Sequence, residues 1–364
     1  LKTVAIPEPP NLANFIKDKN SAIALGKALF WDMQVSSSGT VACASCHFHA
    51  GADQRYKNQI NPGLAGFQLK GPNGLLTSSI FPLTKFTTAD KPGVELDATN
   101  KLINNFNDEM GSSGVPFYTF SSLVSGQIYE NGVLQKDATF TVGTTNVRRV
   151  TPRNTPSVIN AIFNYSNFWD GRARNIFNGV NPFGELDEKA FVYENTTTGI
   201  KAVSVRIPDA SLASQAVGPV LSDFEMSSKN RPFPMVGRKI LSLKPLSQQV
   251  VHPNDSVLGS YSQTGNGLKV TYADLIKAAF QDKWWNNSAD YVQFTDTADS
   301  FHLPDIYDPR AFRLRSGSHS FLKRTLATTL TGKYTQMEAN FSLFFGLAVQ
   351  MYEATLVSND SKYD

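Results

Sequence analysis

The chain has only two cysteines in 364 residues, and both stand in one pentapeptide, Cys43-Ala44-Ser45-Cys46-His47. Two thiols separated by two residues and followed at once by histidine form the attachment signature of a c-type haem. Each thiol adds to one vinyl group of the porphyrin, and the His47 imidazole swings beneath the ring to bind iron. A zinc site would ask for four nitrogen or sulfur ligands, and a redox dithiol has no use for the histidine. The motif therefore predicts one covalent haem c on Cys43 and Cys46, with His47 as the metal ligand, and a fold built to enclose it.

Covalent haem attachment takes place outside the bacterial cytoplasmic membrane, so the expected location is periplasmic or secreted. Residues 1–20 carry no charged start followed by an apolar core, which we read as a signal peptide already removed. The longest apolar stretch, around Phe341 to Met351, is too short to span a bilayer. A formal charge of +3 is not gathered into basic runs with interleaved aromatics, so nucleic acid is not an expected partner. With 41% hydrophobic and 18% charged residues, the chain can bury a large core.

Periodicity predicts a helix over Ile16 to Phe30, broken by Ser36-Ser37-Ser38-Gly39 just before the haem motif. Residues 51–115 show no period and read as a long wrapped loop. Gly126 to Gln135 carries Asn131-Gly132 between short apolar runs, a hairpin signal, and Val203, Val205 and Ile207 alternate as in a strand. Helices are expected again at Tyr272 to Phe280 and, as one long amphipathic helix, over Thr335 to Leu356. The expected fold is mainly α: a c-type cytochrome domain enlarged by long irregular loops and short β-hairpin insertions.

Iron held by one histidine keeps its sixth position free, and the groups above that position decide between electron transfer, oxygen binding and oxygen activation. Splitting a peroxide needs a group that takes a proton from the near oxygen and returns it to the far one, which a carboxylate can do.

Several collinear motifs now point to a family. They are Leu25 to Asp32 leading into the haem motif, Arg153 to Asn160, Asn167-Phe-Trp-Asp-Gly-Arg-Ala173, Gln215-Ala-Val-Gly-Pro219 ending in Glu225-Met226, and Ala339 to Leu356 with Tyr352-Glu353. Together they resemble the first haem domain of the bacterial dihaem cytochrome c peroxidases, a superfamily that includes the methylamine dehydrogenase maturation enzyme and haem-dependent rubber oxygenases. The resemblance spans roughly residues 10–250 and 330–364. It implies a haem-attachment segment at 1–61, a loop and hairpin insertion at 62–150, and a distal-side segment at 151–247 with its own insertion at 174–211. A further insertion at 248–330 and a closing helix at 331–364 complete the domain.

The resemblance also implies roles. Glu225 would be the distal acid–base group, and Gln215 would orient the bound oxygen species. Trp169 would relay electrons from a second haem, with a buried structural aromatic as the alternative. Arg172 would pair with a haem propionate or with Asp170. A bound calcium ion is left open. Relatives carry a second attachment motif in a following domain, and this chain ends at Asp364, near where that domain would begin. The second haem is therefore expected on another domain or chain, or its place is taken by a small redox protein. Between His49 and His252 there is no histidine, which argues for iron open to hydrogen peroxide or dioxygen. Peroxide reduction is the leading expectation. An oxygenase that cleaves an apolar alkene, with Phe168 and Phe183 lining its pocket, is the second. A pure electron carrier with a methionine such as Met226 on iron is the third.

Overall fold

The computed structural model describes residues 3–63, 71–72, 74–78, 84–86, 102–105, 109–294, 319–323 and 332–360. Among these residues lie seven helices: α1 (Lys19–Trp31), α2 (Cys43–Cys46), α3 (Ser211–Ala216), α4 (Phe233–Leu241), α5 (Tyr272–Ala279), α6 (Gln336–Ala339) and α7 (Phe341–Glu353). The expectation of a mainly α chain is corrected: helix accounts for 29% and strand for 17%. Only α1 and α7 reach 13 residues, and the chain between helices closes locally into short antiparallel ladders.

Local chemistry explains where helices begin. The Asp18 carboxylate caps α1 by accepting from Ser21 N at 2.7 Å. Thr271 and Asp274 form a capping box on α5, and Thr335 and Glu338 form one on α6. The helix expected over Thr335 to Leu356 is broken at Asn340. There the side-chain amide donates to the carbonyls of Tyr193 and Trp284 and accepts from Tyr193 N, so the chain turns between α6 and α7. At the other end of α1, buried Asp32 accepts from Gln34 N, Gln34 Nε2, Leu246 N and the Tyr272 hydroxyl. Four donors on one carboxylate join α1, α5 and the segment after α4.

The hairpin expected around Asn131-Gly132 exists in a different register. Asn131–Leu134 is itself a strand, paired with Tyr118–Ser122, and the chain reverses in the residues between them. Val192–Thr196 pairs with Gly199–Val203, while Ile207 forms an isolated bridge with Phe177. Within the expected loop at 51–115, Ile60–Asn61 pairs with Glu109–Met110 and Thr84–Phe86 with Leu102–Asn105, whereas 64–70 and 87–101 lie outside the described residues. Asp290–Phe294 lies between His319–Lys323 and Lys333–Tyr334.

The main core is a crossing of α1 on α7, with α3, α4 and α5 around it. Every residue of α7 is buried. Gly26 makes the crossing possible, since a Cβ there would lie 1.8 Å from the Ala348 carbonyl oxygen. The Gln350 amide ties α7 to α3, accepting from Ala213 N at 2.9 Å and donating to the Asp209 carbonyl at 2.9 Å. A buried ion cluster fixes the insertion to this frame: Glu130 Oε1 lies 2.6 Å from Arg231 and 3.0 Å from Lys239. Arg231 also donates to the carbonyls of Val35 and Val220, and Lys239 to that of Ser36.

Candidate active site

The haem motif forms the one-turn helix α2, closed by His47 N donating to the Cys43 carbonyl at 2.9 Å. Both thiols are free. The turn is fixed from below: Arg55 donates to the Ser45 carbonyl at 2.6 Å and is itself held by Asp53, whose carboxylate also accepts from Ser112 Oγ. The His47 imidazole lies 2.8 Å from the Pro156 carbonyl through Nδ1. A carbonyl can only accept, so Nδ1 carries the hydrogen and Nε2 keeps its lone pair for a metal. The half-buried ring lines a cavity beside the motif. Burial is the main cause that pulls its pKa down to about 4, against the Pro156 hydrogen bond and Asp53. His47 is therefore neutral at ordinary pH, the form that binds iron.

A cavity of about 490 Å³ opens beside this motif, within the ~300–1,000 Å³ usual for cofactor sites. Phe30, Val158, Ala161 and Val349 give it apolar walls, and Gln215, Pro219, Glu225 and Met226 line it from the segment after the 174–211 region. Glu225 is held by its backbone. Ser222 O accepts from the amides of Glu225, Met226 and Ser227, and Gly114 approaches so closely that a Cβ there would lie 1.9 Å from the Phe224 carbonyl. The Glu225 charge also raises the Cys46 thiol, which burial pushes up to about 12.

The remaining wall comes from the loop 166–172. Phe168 adopts φ 61, a left-handed conformation that costs a bulky residue strain and is common at functional sites. Its ring lies 4.3 Å beneath the Arg172 guanidinium, whose Nη1 pairs with Asp170 at 2.7 Å. Trp169 is 70% exposed at this edge, with the Arg153 guanidinium 4.9 Å over its ring. The expected alternative of a buried structural tryptophan does not hold.

Of the residues singled out in the sequence, Cys43, Cys46, His47, Phe168, Trp169, Arg172, Gln215 and Glu225 all line this cavity. Phe183 does not. It is buried at the start of the Gly184–Leu186 turn, its backbone amide donating to Asn181 Oδ1. Glu353, which the sequence marks only as part of the Tyr352-Glu353 pair in the last motif, with no role attached, is also a wall residue. It is 6% exposed, burial lifts its pKa to about 8, and among the described residues no cation pairs with it.

The residues fit a covalent haem. Two free thiols and a neutral imidazole stand at the attachment spacing. Arg172 Nε is buried with no hydrogen-bond partner among the described residues, a donor suited to a propionate. Residues 20–111 and 129–302 match the family model of the di-haem cytochrome c peroxidases. The chain belongs to that family. Haem c is accordingly its cofactor and oxidoreduction its class of chemistry. No curated protein and no solved structure matches this peroxidase-family chain. Among the described residues, no helix is long and apolar enough to cross a membrane, and no group of three or more His, Cys, Asp or Glu side chains gathers to hold a bare metal ion.

Proposed function

We propose that this chain houses the catalytic haem of a peroxidase, reducing hydrogen peroxide with electrons from a second haem domain or a small redox protein. Bound haem supplies the iron at which the O–O bond is split. His47 would hold it from Nε2, its ring kept in one orientation by the Nδ1–H bond to Pro156. The Glu225 carboxylate would take a proton from the nearer peroxide oxygen and deliver it to the farther one, which leaves as water. The Gln215 amide would steady that oxygen by hydrogen bonding. Arg172 would pair with a propionate, and exposed Trp169 would face the electron source. A periplasmic or secreted location follows from covalent haem attachment.

The observation that carries this reading is the convergence of Glu225 and Gln215 on the cavity into which His47 faces. Replacing Glu225 by Gln should lower peroxide turnover by ~100- to 10,000-fold while the haem content stays unchanged, since acid–base assistance is worth that much. Turnover by Glu225→Gln at the wild-type rate would refute the assignment. Met226 lines the same cavity, which favours the electron-carrier reading as the alternative. A low-spin oxidised spectrum that turns high-spin in Met226→Leu would establish it.

A further inference from the structure

The proximal side of the cavity carries an aromatic connection that no role above uses. The Phe30 ring lines the cavity 6.1 Å from the His47 ring, 5.4 Å from Tyr352 and 6.0 Å from Trp31. Trp31 Nε1 donates to the Tyr352 hydroxyl at 2.9 Å. Phe30 and Tyr352 are buried, whereas Trp31, the last residue of α1, is half-buried and meets solvent. Rings in near contact thus run from the iron ligand to the surface, along α1 and α7 rather than through the loop that holds Trp169. Trp31 is fixed at its backbone too, its carbonyl accepting from Gln249 Nε2 at 2.6 Å.

Indole and phenol are the side chains most readily oxidised by one electron. An indole N–H hydrogen-bonded to an oxygen loses that electron more easily, because the oxygen shares the proton made acidic by the loss. The geometry points to Trp31 as a one-electron relay between the protein surface and the haem held by His47, with Phe30 and Tyr352 bridging the gap. An external one-electron donor gives one electron to the oxidised indole, and the indole has given one to the haem. The Nε1 proton stays shared with the Tyr352 oxygen, so none leaves. Two such passages match the two electrons that peroxide reduction consumes. The inference rests on the haem assignment and adds to the peroxidase reading a second electron route, opposite Trp169.

Flash oxidation of the ferrous holoprotein by photogenerated ruthenium(III) tris(bipyridine) tests this without peroxide, so an absent peroxidase activity leaves the test intact. The expected result is a transient tryptophan-radical absorption whose decay matches oxidation of the haem. Trp169→Phe removes the other route, and adding Trp31→Phe to that background should abolish both the radical and the fast haem oxidation that remain. Tyr352→Phe, which keeps the ring and removes the acceptor, should slow the haem step and serves alone if Trp31→Phe does not fold. Fast haem oxidation that persists unchanged when Trp31→Phe, or Tyr352→Phe where only that variant folds, is added to Trp169→Phe would overturn the relay.

Discussion

Glu353 shows how burial sets a residue's charge. Its carboxyl lies in the cavity wall with its pKa at about 8 against an ordinary 4.5, and the cause is loss of water alone. The protonated form is thus the one the fold accommodates. Stability tied to it is fully present below pH 4.5 and is lost as pH rises through about 8, because over that window the folded chain holds a proton that the unfolded chain has released. Glu353→Gln should remove this dependence. Its stability relative to the wild-type holoprotein should rise between pH 5 and 8 by a few kcal/mol, at ~1.4 kcal/mol per pKa unit. Denaturant melts of both proteins at the two pH values measure it, and parallel pH responses would count against a buried acid here. Cys43, Cys46 and His47 were legible because their roles depend on spacing along the chain. Glu225 and Gln215 were legible only through a motif. The burial of Glu353, the Pro156 carbonyl and the Asp53–Arg55 brace were not, since their roles arise where distant segments meet, and Phe183 was misplaced because adjacency in sequence does not say which cavity a ring faces.

At the scale of elements, the sequence displays helices best where caps and apolar period agree, as for α1 and α5. It hides what tertiary partners decide. The α6–α7 break depends on Asn340 finding two carbonyls more than fifty residues away, and the strand at Asn131 depends on pairing with 118–122 rather than on turn propensity. The α1–α7 crossing has the same character. Gly26 reads as a weak point in a helix, whereas its missing side chain is what lets the helices touch. Gly26→Ala would drive a methyl group into the Ala348 carbonyl, and backbone cannot swing aside as a flexible side chain can. We expect a loss at or beyond the upper end of the ~1–3 kcal/mol usual for overpacking. Because α1 carries Phe30 and α7 carries Val349 and Glu353, the haem absorption spectrum should change as well. A denaturant melt and a spectrum at matched haem content check both.

Across the whole molecule, the Glu130 cluster connects parts that sequence shows only as separate. Glu130 belongs to the hairpin insertion, Arg231 follows the Glu225 segment, Lys239 lies on α4, and the carbonyls of Val35 and Ser36 lie on the segment that leads from α1 to the haem motif. One buried acid thus holds the insertion against both segments that build the cavity. Removing one partner of a buried pair leaves uncompensated charge at a cost of ~3–5 kcal/mol, so Glu130→Gln should destabilise by about that much. Lys239 limits the loss. Burial already brings its pKa down to about 8 with Glu130 beside it, and without that anion it falls further. In the variant Lys239 therefore sheds its proton in the folded state at neutral pH while the unfolded chain keeps it, so variant stability climbs with pH. Wild-type stability is flat in this respect below pH 8. The deficit of Glu130→Gln should consequently be larger at pH 6 than at pH 8, and the 118–134 hairpin should become sensitive to limited proteolysis before the helical core does. A deficit that does not change with pH would place Lys239 outside the cluster's charge balance, and an unchanged cleavage pattern would mean that the hairpin is held by its strand contacts alone.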